Sequence, residues 1–194
     1  QLKSQKTIYD IPKKILGLIC KSIIKNFTAI RNMKFIIFDL RNNGGGCEQI
    51  MKLILSFILQ GNIELSEFHF RKEIRKNMTY QLDELERIFD SKKLPLLQDN
   101  QIICLASKNT FSAAENFCYD LQALKKTIII GENTGGGANP GSYHKVDNET
   151  EIFIPFAYAY NLETKNNWEN IGVIPDITCD ANQALLVAKN ISRD

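Results

Sequence analysis

A buried strand that ends in a run of glycines constrains this fold more than any other feature of the sequence. Residues 34–40 read KFIIFDL, a nearly continuous apolar run of the kind found in strands that are covered on both faces. The glycines of the segment NNGGG at 42–46 cannot continue that strand. Apolar residues at helical spacing follow over 47–60. The sequence therefore predicts a strand, a glycine turn and a helix in that order.

The same order returns later in the chain, which predicts an α/β domain with one layer of helices packed on a sheet. Further strands are predicted at 102–107, 127–132, 142–146 and 151–156, and further helices at 11–30, 112–125 and 181–190. Residues 61–99 carry the highest density of charge and a short helical pattern at 81–90, so we interpret them as a variable insertion. The whole chain, 1–194, is predicted to form a single domain.

Charge and cysteine content exclude several classes of partner. A net charge of +2 gives no reason to expect nucleic acid or a membrane surface. None of the five cysteines stands in a CxxC pair, so a zinc site is not predicted, and free thiols are the simplest interpretation. They are Cys20, Cys47, Cys104, Cys118 and Cys179.

Two predicted helices begin with residues that can carry chemistry. Amides at the start of the helix after NNGGG could bind a phosphate or a developing oxyanion, but no phosphate-binding motif is present. The second helix opens with Ser112, followed at the third position by Glu115. This pair can form a capping box, or Ser112 can be a nucleophile beside the amide of Ala113. The local pattern leaves both interpretations open.

Four motifs in order, FIIFDLRNNGGG, NTFSAAENF, TIIIGENTGGGA and IGVIPDI, resemble those of the tail-specific (C-terminal-processing) and tricorn-type serine peptidases. The resemblance implies a Clp protease/crotonase-like core of repeated ββα units, and a serine-type endopeptidase that hydrolyses peptides or unstructured proteins. By the same carry-over, Ser112 is the nucleophile, the amides of Gly44, Gly45 and Ala113 form the oxyanion hole, and Glu115 has a conformational role. The resemblance implies no metal or organic cofactor. It favours an envelope or secreted location, and it leaves membrane association and oligomeric state open.

The chain departs from the tail-specific pattern at the general base. The lysine of that pattern falls at Gly137, so the loop is closer to the tricorn-like branch, in which a histidine upstream of a PDZ-type module takes the proton. Both of those upstream parts are expected to lie outside this chain. In that branch a glutamate near the last motif orients the histidine through another serine, and Glu169 is the matching residue. His69 and His144 are the two histidines present, on a variable segment and on a predicted hairpin.

Three alternatives for the base follow. The base lies outside this chain, His144 substitutes for it, or the protein is an inactive peptide-binding or scaffold protein that retains the peptidase fold. A crotonase-type acyl-CoA enzyme would share the oxyanion turn but would not need Ser112. For the peptidase, we expect the Ser112 hydroxyl and the amides of Gly44–Gly46 to lie close enough to contact one carbonyl group.

Overall fold

Nine strands and five helices are arranged around a parallel sheet in a computed structural model that describes residues 13–89 and 92–191. In chain order the elements are α1 (Lys13–Ile30), β1 (Phe35–Asp39), α2 (Glu48–Ile58), β2 (Glu67–Phe70), β3 (Ile74–Arg75), α3 (Leu82–Phe89), β4 (Gln101–Ala106), α4 (Ala113–Ala123), β5 (Thr127–Gly131), β6 (Gly141–Lys145), β7 (Glu151–Pro155), β8 (Ala157–Tyr160), β9 (Ile177–Thr178) and α5 (Ala184–Ile191). The first helix was predicted to begin at residue 11, which lies outside the described residues.

The central sheet has the order β1-β4-β5-β9, and all of its strand pairs are parallel. Parallel strands need crossovers that place helices on the sheet faces, which explains why their sequences are nearly continuous apolar runs. Because the carboxyl ends of parallel strands share one edge, the turns after β1 and β4 are neighbours. Those turns are the glycine turn and the turn that leads to Ser112.

Helices cover both faces of this sheet. On one face, Cys104, Ile129 and other strand side chains pack with α1, α2 and α4 in the larger apolar core. On the other face, Leu105 and Ile130 pack against Ala184 and Ala188 of α5. The predicted α/β class with helices on a sheet is confirmed, and α5 adds a second helical layer to the single layer that the sequence pattern indicated.

Residues 61–89 and 92–99 contribute to the same core. Strand β2 pairs with β3 on one side and with β8 on the other, which forms a three-stranded antiparallel sheet. The side chains of Leu65, Leu85 and Leu97 are at most 2% exposed and pack in the larger core. Burying a leucine side chain stabilises a fold by about 1.5–3 kcal/mol, so this segment contributes to the stability of the domain.

Strands β6 and β7 form the predicted hairpin, and it lies apart from the other two sheets. Every residue of β7 is exposed, including Ile152, Phe153 and Ile154. The hairpin follows directly after the glycine-rich loop at 133–140. Within the described ranges, no helix is long and apolar enough to cross a membrane.

Candidate active site

The backbone of Ser112 has a conformation that an ordinary helix cap does not need. Ser112 precedes the first residue of α4 with φ 54° and ψ −122°, whereas N-cap residues normally have extended, negative-φ backbones. A non-glycine residue in this region costs about 1–3 kcal/mol and persists only where its surroundings hold it. The serine is exposed at the end of a buried strand and a tight turn. Both bonds of the capping box with Glu115 are also present, so the structure is compatible with Ser112 as a cap and as a nucleophile held in an unusual backbone conformation.

The turn before Ser112 is joined to the glycine turn by three hydrogen bonds. The donors are the side-chain hydroxyls of two residues and the backbone amide of a third, and the acceptors are backbone carbonyl groups of the neighbouring turn. The bonds are Ser107 Oγ to Arg41 O at 2.5 Å, Thr110 Oγ1 to Leu40 O at 2.8 Å, and Phe111 N to Asn43 O at 3.1 Å. The short polar residues of SKNT therefore fix the position of the glycine turn beside Ser112.

Gly45 contacts Ser112 so closely that no other residue fits at position 45. It has φ +100°, and a Cβ added to it would lie 2.7 Å from the Phe111 carbonyl oxygen and 2.8 Å from Ser112 Cβ. The same added atom would lie 3.1 Å from the amide nitrogen of Ala113. The structure thus brings Gly45, Ser112 and Ala113 together, as the oxyanion-hole hypothesis requires.

The backbone amides of the glycine turn and of Ala113 differ in whether they already donate a hydrogen bond. Gly45 N donates to Asn43 Oδ1 at 3.0 Å, so that amide is already satisfied. The amides of Gly44 and Ala113 have no acceptor among the described residues. Gly44 also lines an open polar cavity of about 410 Å³ together with Asp39 and Asn42. A free amide beside a strained serine, such as that of Ala113, can stabilise the oxyanion of a tetrahedral intermediate.

Glu115 holds Ser112 and the glycine-rich loop with a single carboxylate. It is fully buried, and Oε2 accepts from Ser112 N at 2.7 Å and from Gly137 N at 2.9 Å. Its Oε1 accepts from Gly136 N at 2.6 Å and from Thr134 Oγ1 at 2.5 Å. With four donors around it, the carboxylate has the conformational role that was predicted for it.

At Gly137, where the tail-specific pattern has its lysine, a side chain fits only if the ring of Phe111 moves. A Cβ added there would overlap the ring of Phe111. A Cβ on Gly135 would lie 2.7 Å from Cδ2 of the same ring. The departure from the lysine pattern is therefore steric as well as chemical, because Phe111 fills the space in front of the loop.

Glu169 holds the part of the glycine-rich loop that directly follows the residues bonded to Glu115. Its Oε2 accepts from Ala138 N at 2.8 Å and from Asn139 N at 2.9 Å. The next residue, Asn170, donates its amide to Gly136 O at 2.8 Å. No serine contacts Glu169 among the described residues, so what the structure shows is that Glu169 holds the loop.

Both histidines bond to residues other than Ser112. His144 Nε2 lies 3.0 Å from Ser142 Oγ on the exposed hairpin. His69 Nε2 lies 2.6 Å from Glu67 Oε1 on β2, and its ring packs against Tyr160 with centroids 5.1 Å apart. In the part of the chain that the structure describes, neither histidine is bonded to the Ser112 hydroxyl, and no group of His, Cys, Asp or Glu could hold a metal ion.

Sequence reasoning missed a second buried carboxylate on the nucleophile helix. Asp120 is fully buried, and its Oδ1 accepts from Ser66 N, Ser66 Oγ and Asn161 Nδ2 at 2.6–3.0 Å. Its Oδ2 accepts from Asn116 Nδ2 at 2.8 Å. Burial raises the pKa of Asp120 to about 6, although the hydrogen bonds from Ser66, Asn161 and Asn116 oppose that shift. The available signal was a charged residue eight positions after Ser112, between the apolar residues Phe117, Cys118 and Leu121 of the same helix.

An α/β core that holds a strained serine at a helix start, beside a glycine turn, is an arrangement that could carry a serine nucleophile. The sequence model of peptidase family S41 matches residues 19–179. The chain therefore belongs to peptidase family S41, and the family predicted from its four motifs is confirmed.

Solved structures share this fold at low sequence identity. A photosystem II D1 C-terminal processing protease is 18% identical with a TM-score of 0.64, and the match covers 91% of this chain and 43% of that one. A lipoprotein from Streptococcus agalactiae is 19% identical with a TM-score of 0.70, over 96% of this chain and 63% of the other. Mature CPAF is 16% identical with a TM-score of 0.62, and the match covers 98% of this chain and 48% of that one. This chain thus spans roughly half the length of these proteins, and at such identities the likeness shows the fold alone.

Proposed function

We propose that this chain is the nucleophile-bearing core of a serine-type peptidase that hydrolyses peptide bonds through Ser112. The observation that carries the proposal is the contact between Gly45 and Ser112, combined with the left-handed backbone of Ser112. Membership of peptidase family S41 supports the choice of peptides or unstructured proteins as substrates.

In this mechanism, Ser112 Oγ attacks the carbonyl carbon of the scissile bond and its proton passes to a general base. The carbonyl oxygen becomes an oxyanion that accepts from the amides of Ala113 and Gly44. Collapse of this intermediate expels the amine, which takes a proton from the base, and water then hydrolyses the acyl-enzyme. One such oxyanion donor is typically worth on the order of 100–1000-fold in rate.

The base in this proposal comes from outside the described residues. Both histidines have other partners, and the ring of Phe111 fills the space at Gly137. A serine that lacks its base forfeits roughly 100–10,000-fold in rate. Attack on a fluorophosphonate also needs removal of the Ser112 proton, so we expect the 194-residue chain to be labelled slowly at Ser112 and to hydrolyse peptides slowly.

The test is labelling of the native chain by a small alkyl fluorophosphonate, with the modified residue identified by peptide mass spectrometry. We expect the label on Ser112, none on the Ser112→Ala variant, and unchanged labelling in Ser22→Ala, a matched exposed serine on α1. Label at any other serine, or no label on Ser112 even after prolonged incubation with excess reagent, would contradict the proposal and favour an inactive scaffold.

A second measurement addresses the base. An unfolded protein substrate is incubated with the native chain and with its Ser112→Ala and His144→Ala variants. We expect slow cleavage that Ser112→Ala abolishes and His144→Ala leaves unchanged. Fast cleavage that disappears in His144→Ala would assign the base to His144 instead.

A further inference from the structure

Phe111 presents an aromatic ring immediately beside the candidate nucleophile. The residue directly precedes Ser112, and 44% of its surface is exposed. Large apolar side chains that stand singly on a surface are ordinary, so exposure alone carries no meaning. Phe111 differs from such residues because its ring packs against the backbones of Gly135 and Gly137, where any side chain would collide with it.

The backbone that carries the ring is held on both sides. Phe111 N donates to Asn43 O at 3.1 Å, and Phe111 O accepts from Ala114 N at 3.1 Å. A Cβ on Gly45 would lie 2.7 Å from that same carbonyl oxygen, so the glycine turn closes on it from the other side. A ring that stands on a held backbone and packs against the loop loses less conformational entropy when a ligand covers it than a free side chain would.

From this arrangement we infer that Phe111 determines substrate specificity: its ring forms an apolar contact for a substrate side chain next to the scissile bond. The inference rests on the proposed function, since it needs a peptide at Ser112. A carbonyl bound between Ser112 Oγ and the free amides of Gly44 and Ala113 places its neighbouring side chain within reach of the residue before the nucleophile. An aliphatic or aromatic side chain would bury the exposed part of the ring, whereas a carboxylate would be desolvated against it without a partner.

Peptide binding tests this without relying on catalysis. In ¹⁵N-labelled Ser112→Ala protein, shifts of the Gly45 and Ala113 amides are followed during titration with two peptides, Ala-Ala-Leu-Leu-Ala-Ala and Ala-Ala-Asp-Asp-Ala-Ala, both blocked at their ends. We expect the leucine peptide to bind at least fivefold more tightly. When Phe111→Ala is combined with Ser112→Ala, the ratio of the two peptide affinities should fall below twofold. Phe111→Leu in the same background should keep most of that ratio.

Leu186 supplies the matched control. It is an exposed leucine, 56% accessible, on α5 at the opposite face of the sheet, so Leu186→Ala should leave the ratio unchanged. Equal binding of the two peptides, binding of neither, or a ratio that survives Phe111→Ala would each overturn the inference. Failure of the proposed function looks different: the leucine peptide would bind with the expected preference, while the fluorophosphonate would leave Ser112 unlabelled.

Discussion

The amide of Ser112 donates to Glu115 Oε2 over 2.7 Å, so the candidate nucleophile is held by a residue one helical turn further along its own helix. The same carboxylate accepts from Thr134, Gly136 and Gly137. The nucleophile turn and the glycine-rich loop therefore share one buried anchor. Loss of that anchor should affect both segments together.

The first prediction is that Glu115→Gln destabilises the protein and loosens the loop. A glutamine side chain presents an NH₂ group to donors that now face a carboxylate oxygen, and a hydrogen bond to a charged group is worth about 1.5–3 kcal/mol. We expect a loss of about that size in the free energy of unfolding, measured in urea, and faster hydrogen exchange at Gly136 and Gly137. Glu151→Gln, an exposed site on β7, should change neither quantity. A stability loss without faster exchange would argue against the shared anchor.

The second prediction compares two neighbouring glycines. Gly45→Ala places a Cβ against the Phe111 carbonyl oxygen and Ser112 Cβ at a backbone φ of +100°. Positive-φ strain and the collision together should lower the free energy of unfolding by about 2–4 kcal/mol and abolish fluorophosphonate labelling. Gly44→Ala meets no atom within 4 Å, so its stability should stay within about 0.5 kcal/mol of the native value. Equal stability of the two variants in urea would contradict this geometry.

Much of the fold could be predicted from the sequence because the parallel strands are continuous apolar runs and their turns are rich in glycine and small polar residues. The positions of β1, β4 and β5 agree with the predicted strands to within one or two residues. The turn at Ser112 was recognisable from its motif. Its left-handed backbone was not, because a capping-box sequence is compatible with both conformations.

Long-range packing limited the rest. Residues 61–99 look like a charged insertion, since their buried leucines are separated by polar residues on short elements. Strand β8, which pairs with β2, has no pattern that distinguishes it from the preceding hairpin strand. The contact between Phe111 and Gly137 joins residues 26 positions apart, and nothing local in either segment indicates it.

The third prediction concerns pH and Asp120. Its pKa is about 6 in the folded protein, above the ordinary value of about 3.9, so between pH 4 and 6 the native state binds a proton that the unfolded chain has released. The free energy of unfolding should therefore fall by up to about 3 kcal/mol as pH rises through this window. Above pH 6, the titration of Asp120 should cause no further decrease. Denaturant unfolding at half-unit pH steps measures it.

Asp120→Asn should remove that component of the pH dependence. The asparagine oxygen can keep the bonds from Ser66 and Asn161, and the Asn116 amide can rotate to accept from the new NH₂ group. The matched variant Asp99→Asn, at an exposed site, should retain the native profile. An Asp120→Asn profile parallel to the native one between pH 4 and 6 would assign the titration to another group.

The fourth prediction tests whether Phe111 excludes a lysine from position 137. Gly137 needs no positive φ, so a lysine there is opposed by the Phe111 ring and not by its backbone. Gly137→Lys alone should cost about 1–3 kcal/mol in the free energy of unfolding, as overpacking typically does. Phe111→Ala alone removes a half-exposed ring and should cost less. The double variant should be more stable than the sum of the two single effects predicts, with a coupling energy of at least about 1 kcal/mol in urea unfolding.

Asn133→Lys, an exposed site in the same loop, should show no coupling to Phe111→Ala. If the effects of Gly137→Lys and Phe111→Ala on the free energy of unfolding simply add, the ring moves aside at no cost. Phe111 would then not be the reason why position 137 lacks a lysine.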